Sequence, residues 1–187
     1  ISCIVAIFFS FALWFFFPAG VANASPVFAN KIPILKNWKT PVDFGKSYRG
    51  KRLLGDNKSW RGVVTGTIMG GITALLIYLV YPAAADVLWY SPKVPMVDMF
   101  VVGCALGFGA LFGDAVESFF KRQRGVAAGH SWFPFDQIDY IIGGLLLVTP
   151  FVSLRPTQYV IILITWFGLH IFFAYVGYIL RLKDKPI

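Results

Sequence analysis

Five long apolar runs set the terms for this chain. A helix needs about 20 mostly apolar residues to cross the hydrocarbon core of a bilayer. Residues 1–21, 62–85, 95–120, 137–154 and 156–180 each approach or exceed that length. The second and fifth runs carry no charged residue, the third contains Asp98, Asp114 and Glu117, and the fourth contains Asp139. None of them alternates polar and apolar residues as the strands of a membrane barrel would. Only 14% of the 187 residues are charged and 57% are hydrophobic, whereas soluble domains carry about 25% charged residues. A water-soluble globule is excluded on that ground, and so are disordered, collagenous and disulfide-framework chains. The expectation is one all-α, polytopic membrane domain over 1–187 with five transmembrane helices and cytoplasmic loops at 31–61 and 121–136.

Charge placement orients these spans. Of 17 basic residues, nine lie between Lys31 and Arg61; Lys121, Arg122 and Arg124 form a second group, and Arg181, Lys183 and Lys185 a third. Only Lys93 and Arg155 fall elsewhere. Five spans put all three groups on one side, and positive residues favour cytoplasmic loops. The N-terminus is therefore expected outside, the C-terminus in the cytoplasm, and any site among these groups facing the cytoplasm of a multi-pass cell-membrane protein. Each basic group borders a hydrophobic run, the pattern of topology and not of nucleic-acid binding. Ala22-Asn23-Ala24 has the small residues of a signal-peptide cleavage site. However, no basic stretch precedes the run, and cleavage would require the most basic loop to be translocated, so the first span is expected to be retained.

Glycines recur every four residues at Gly62, Gly66 and Gly70, at Gly103 and Gly107, and at Gly109 and Gly113. Such spacing lets helix backbones approach closely. It reads as packing within the bundle, with a homodimer seam as the alternative. Cys3 and Cys104 sit in apolar runs and read as buried free thiols.

The few polar residues near the spans are clustered. At about 100° per residue, Asp114, Ser118, Lys121 and Arg122 share one face at the end of the third run. Glu117 points partly away. Ionisable residues in a span are costly and usually face a cavity. Asp136 and Asp139, spaced i, i+3 at the start of the fourth run, share a face. Three carboxylates, Asp114, Asp136 and Asp139, from two adjacent helix ends near Lys and Arg suit a hard cation facing phosphates, such as Mg²⁺. In the first loop, Arg52, Asn57, Lys58, Ser59 and Arg61 sit where the second run begins, and a helix N-terminus with nearby cations is an anion site. Lys31, Lys36 and Lys39 read instead as contacts with anionic lipid. Asp43, Glu117 and His130 are secondary candidates. His170, in the fifth run, reads as a packing residue.

These residues resemble a known signature. Gly113-Asp114-x3-Ser118-x2-Lys121-Arg122, then Gly129-His130 and Asp136-Gln137-x-Asp139-x3-Gly143, is similar to that of the membrane-integral CTP:phosphatidate cytidylyltransferases. Pro41-x-Asp43-x-Gly45 with Gly50-x-Arg52-x-Leu54-Gly55-x2-Lys58-Ser59 resembles the first cytoplasmic motif of their archaeal branch, the CDP-archaeol synthases. Arg124-Gly125 stands where the bacterial pattern has Lys-Asp, and Asp136-Gln137-x-Asp139 where it has Asp-Arg-x-Asp. The resemblance implies CMP transfer from CTP to an isoprenoid ether lipid phosphate, giving CDP-archaeol and pyrophosphate. It also implies Mg²⁺ as cofactor, with Asp114, Lys121, Arg122, Asp136 and Asp139 as catalytic residues. The alternatives are a CTP-dependent polyprenol kinase and an ion or substrate transporter.

Overall fold

The computed structural model describes residues 2–80, 96–127 and 129–181, without the side chains of residues 2–5 and 96–97. Residues 81–85 of the expected second span, residue 95 of the third, Lys93, Lys183, Lys185 and the Cys3 side chain lie outside the described residues. Among the described residues there are five helices: α1 (Ser2–Ala29), α2 (Trp60–Val80), α3 (Met96–Gln123), α4 (Phe135–Val148) and α5 (Pro156–Ile179). A small hairpin, β1 (Ser47–Tyr48) and β2 (Lys51–Arg52), interrupts the loop between α1 and α2. Among the described residues, four helices are long and apolar enough to span a membrane: Ala6–Ala29, Trp60–Val80, Asp98–Gln123 and Pro156–Ile179.

The expected fourth span differs. Expected over 137–154, α4 starts at Phe135 and ends after 14 residues at Val148. At 1.5 Å per residue it is about 21 Å long, shorter than the hydrocarbon core. Pro150 has no N–H to continue the ladder, and the chain turns there, with Phe151 and Val152 N–H both donating to the Val148 carbonyl.

The core gathers around α1. Phe15, Phe16, Ala12 and Ala19 are buried against Leu106 of α3, Ile141 of α4, and Ile162 and Trp166 of α5. Buried aromatics with polar tips need partners. The Trp166 indole donates to the Ala12 carbonyl (2.9 Å), and the Tyr140 hydroxyl donates to the Trp166 carbonyl (3.3 Å). Leu146, Ile164 and Phe173 are exposed instead, as suits helix faces that meet lipid.

The glycine stripes are used inside the chain. A Cβ on Gly70 would lie 2.5 Å from the Gly103 carbonyl oxygen, and one on Gly109 would lie 2.5 Å from that of Gly143. Gly113 rests against the backbone of Asp139 in the same way. Since Asp114 follows Gly113, this backbone contact is what brings a carboxylate of α3 alongside one of α4. Gly143→Ala is therefore expected to push α3 from α4, costing about 1–3 kcal/mol through overpacking and lowering turnover. Gly168, with open space at its Cβ position, supplies the control. Gly168→Ala should leave both turnover and thermal unfolding in detergent unchanged, and an equal response of the two variants would contradict the packing argument.

Candidate active site

Asp43 organises the first loop. Its side chain, 1% exposed, accepts hydrogen bonds from the backbone N–H groups of Gly45 (3.0 Å), Leu54 (3.0 Å) and Gly55 (3.2 Å). It also pairs with the Arg52 guanidinium at 3.0 Å, and Arg52 reaches Asp56 at 2.8 Å. The hairpin turn at Arg49-Gly50 has positive φ at both residues (51° and 76°), which a two-residue turn of matching twist requires. Lys51 Nζ donates to the Gln123 carbonyl (2.6 Å), placing a cation at the C-terminus of α3. Gly55 O accepts from Lys58 N (3.2 Å), and Lys58 O accepts from Val42 N (2.8 Å). Lys58 is thus held through its backbone on both sides.

Burial alone would raise the Asp43 pKa. The Leu54 N–H, the Arg52 side chain and the Gly45 and Gly55 N–H groups outweigh it and lower the value from 3.8 to about 2. A depressed pKa means that this stabilisation is complete above about pH 4 and is lost as pH falls through about 2. No loss from this group is therefore expected between pH 8 and 5. Asp43→Asn, in contrast, should open the loop at neutral pH, because bonds to a buried charge contribute about 1.5–3 kcal/mol each. Limited trypsin digestion should cut at Arg49 and Lys51 faster in that variant. Unchanged cleavage would show that the loop does not depend on this carboxylate.

A cavity of about 930 Å³ lies beneath this loop. Its walls include Leu54, Gly55, Asn57 and Lys58 from the loop and Asp114, Glu117, Ser118, Lys121 and Arg122 from α3. Gly129, His130 and Asp136 close the next side, and His170 and Ala174 come from α5. Lys58 Nζ is 2.5 Å from Asp114 Oδ2. Lys121 Nζ is 2.5 Å from Asp136 Oδ1 and 3.4 Å from Glu117 Oε1. Asp136 also accepts from the Trp132 N–H at 2.7 Å. The face expected to carry Asp114, Ser118, Lys121 and Arg122 does line the cavity.

The acids that converge differ from those expected. Ligand oxygens of Asp114, Glu117 and Asp139 all lie within 4.8 Å of one another. Asp136 was expected in this set, but its carboxylate is committed to Lys121 and to the Trp132 N–H. Glu117, a secondary candidate, joins Asp114 and Asp139 there, and its buried Oε1 lies 3.4 Å from the Lys121 ammonium. The i, i+3 spacing of Asp114 and Glu117 was the available signal. Three carboxylates converging within that distance have the oxygen donors that suit a hard divalent cation.

Three loop candidates have other work. Arg61 is buried, donating to the Leu35 and Lys36 carbonyls (3.2 Å each) and to the Asn30 side chain. It ties the segment after α1 to the start of α2 and is not part of the cavity wall. Ser59 Oγ accepts from the Gly62 N–H (3.3 Å), the geometry of a helix N-cap. Arg52 belongs to the Asp43 network. His170, read as a packing residue, lines the cavity besides packing at a tilt against the Tyr140 ring. Cys104 is a free thiol of intermediate burial.

A second cavity of about 310 Å³ adjoins the first and has mainly apolar walls, among them Pro26, Val27, Val63, Phe108 and Phe112. It shares Asn57, Lys58 and Asp114 with the larger one. The Lys58–Asp114 pair therefore stands where a charged chamber meets an apolar cleft between α1, α2 and α3.

The chain as a whole matches known proteins. The family described as CarS-like, CDP-archaeol synthase, matches residues 4–187. A CDP-archaeol synthase of Archaeoglobus fulgidus is 35% identical over 162 residues, covering 84% of this chain and 89% of its own. One from Thermococcus kodakarensis is 32% identical over 176 residues, covering 94% of each. A solved structure described as an intramembrane enzyme for archaeal membrane lipids biosynthesis superposes with a TM-score of 0.67 at 30% identity, covering 85% of this chain and 89% of that one.

Proposed function

The chain belongs to the CDP-archaeol synthase family, and on that premise we propose that its two adjoining cavities are where CTP and a lipid phosphate meet. The reaction is transfer of CMP from CTP to an isoprenoid ether lipid phosphate, the unsaturated archaetidic acid, giving CDP-archaeol and pyrophosphate. The observation that carries this reading is the shared wall. A charged chamber suits a triphosphate from water, an apolar cleft suits lipid chains from the leaflet, and Lys58 and Asp114 border both.

The lipid phosphate is already an anionic nucleophile at neutral pH, so no strong general base is required. One of its oxygens forms a bond to the α-phosphorus of CTP as the bond from that phosphorus to the bridging oxygen breaks, and pyrophosphate leaves. The obstacle is repulsion between two anions. Lys58, Lys121 and Arg122 offset it from the cavity wall, Ser118, Asn57 and His130 add polar contacts, and the fixed geometry holds the reactants in line. Asp114, Glu117 and Asp139 are the residues that would hold Mg²⁺, which when bound would neutralise triphosphate charge and polarise the α-phosphoryl group. Asp136 keeps the Lys121 ammonium in place. Asp43 and Arg52 act at a distance, through the loop that presents Lys58.

We read the whole chain, 1–187, as one membrane domain crossing five times, with α4 and the turn after it making the fourth passage. The C-terminal ends of α1 and α3 and the N-terminal ends of α2 and α4 meet at the two cavities, and α5 reaches the larger one through His170 and Ala174. The first two basic groups and Arg181 belong to that end, which supports a cytoplasmic site with the N-terminus outside.

The test is to supply purified protein with labelled CTP, Mg²⁺ and a set of lipid phosphates. CDP-lipid with pyrophosphate is the expected product pair. Release of CDP with a newly phosphorylated lipid would identify a kinase, and solute flux in proteoliposomes without nucleotide turnover would identify a transporter.

A further inference from the structure

The eleven residues between α1 and the first loop motif form a strap tied down at three points. It begins where α1 ends, at Ala29. Arg61, at the start of α2, donates to the Leu35 and Lys36 carbonyls in its middle. At its far end the Thr40 carbonyl accepts from Trp60 N–H, the first residue of α2 (3.0 Å). Both helices are membrane spans by length and composition. The strap therefore lies along the boundary joining two span ends and cannot lift away from it.

Its outward side chains are of two kinds. Ile34 is 88% exposed, Ile32 45% and Trp38 40%, following directly on Val27 (62%) and Phe28 (64%) at the end of α1. Lys31, Lys36 and Lys39 are exposed between them, with no acidic residue from 30 to 42. Apolar side chains at this level are covered by the same lipid that covers the end of α1. A lysine stem can lie along that apolar surface while its ammonium reaches phosphate.

We infer that the strap over residues 31–39 is a docking surface for anionic lipid headgroups, in which Ile32, Ile34 and Trp38 insert at the headgroup level and Lys31, Lys36 and Lys39 contact lipid phosphates. Each lysine near an anionic leaflet adds its own modest attraction, so the three act together and not through one bound lipid. The arrangement also makes Arg61 an anchoring residue: by bonding two strap carbonyls it keeps the apolar side chains turned toward the bilayer. This inference rests on the membrane-spanning reading of α1 and α2 and is independent of the chemistry assigned to the cavity.

The full chain, with Cys3 and Cys104 changed to Ala and a single environment-sensitive fluorophore on I34C, is reconstituted into vesicles of neutral or mixed neutral and anionic lipid. The same label on D56C, whose carboxylate is exposed in the loop, gives the water-facing reference. Lipids carrying a shallow nitroxide should quench the label at position 34 strongly, aqueous iodide should quench it several-fold less than at position 56, and anionic lipid should widen that difference. K31A/K36A/K39A should abolish the response to anionic lipid. Iodide access equal at the two positions overturns the insertion. A response to anionic lipid that survives the triple substitution overturns the role of the lysines.

Discussion

Asp139→Asn should lower turnover by about 10³-fold without unfolding the protein. Its carboxylate lies within 4.8 Å of those of Asp114 and Glu117, and the three acids are the only described group of this kind. Asp114→Asn and Glu117→Gln should behave alike, each losing about 10³-fold in turnover, the scale of one misplaced electrostatic contact to a transition state. These substitutions are nearly isosteric, so helix content and elution in detergent should match the parent protein. Asp136→Asn should act differently, because Asp136 holds Lys121 at 2.5 Å and is not in the converging set. Its loss should raise the KM for CTP as well as lower kcat, and added Mg²⁺ should not restore it. Two of the three converging variants retaining near-parental activity at saturating Mg²⁺ would remove the metal assignment.

Lys58→Ala should be nearly as damaging, at about 10²- to 10³-fold in kcat/KM. The ammonium sits between the two cavities and pairs with Asp114 at 2.5 Å; removing it deprives the reacting phosphates of a cation and leaves a carboxylate unopposed. Lys121→Ala removes the partner of both Glu117 and Asp136 and should fall in the same range. Lys31→Ala and Lys36→Ala, on the strap, should change turnover by less than about twofold at saturating substrate, as expected for isolated surface charges. Assays of all four at low and high salt separate the cases. If the two pairs lose activity equally, and salt mimics both, the basic residues form a diffuse field and the site is misplaced.

What the sequence disclosed and what it concealed follow from where each constraint originates. The face of Asp114, Ser118, Lys121 and Arg122 was legible because helix geometry fixes the angles between residues on one element. Substitution of Glu117 for Asp136 in the converging set was not. Which acids meet depends on how closely α3 approaches α4, set by Gly113 against the Asp139 backbone and Gly109 against Gly143. Lys58 and Arg61 look equivalent at i, i+3 spacing, yet Lys58 precedes the Ser59 cap and is free to reach Asp114, whereas Arg61 is already inside α2 and faces Asn30. His170 reaches the cavity only because α5 closes its far side, a contact with no local signature. The fourth run ends early because Pro150 stops the helix, which the hydropathy of the run conceals.

The bond between the Trp166 indole and the Ala12 carbonyl joins residues 154 apart. Helices enter a bilayer in the order of synthesis, and the first of these five holds the side chains around which the rest assemble. Phe16 can meet Leu106 of α3 and Tyr140 of α4 as those helices arrive, but its flank toward Trp166 must stay against lipid until α5 has been made. A nascent chain stopped short of α5 would hold its glycine contacts between α2 and α3 but leave one flank of α1 without its final partner. Maturation should thus be a late, all-at-once closure of α5 over a waiting first helix, and a ribosome-stalled series should gain resistance to protease only when its last helix emerges.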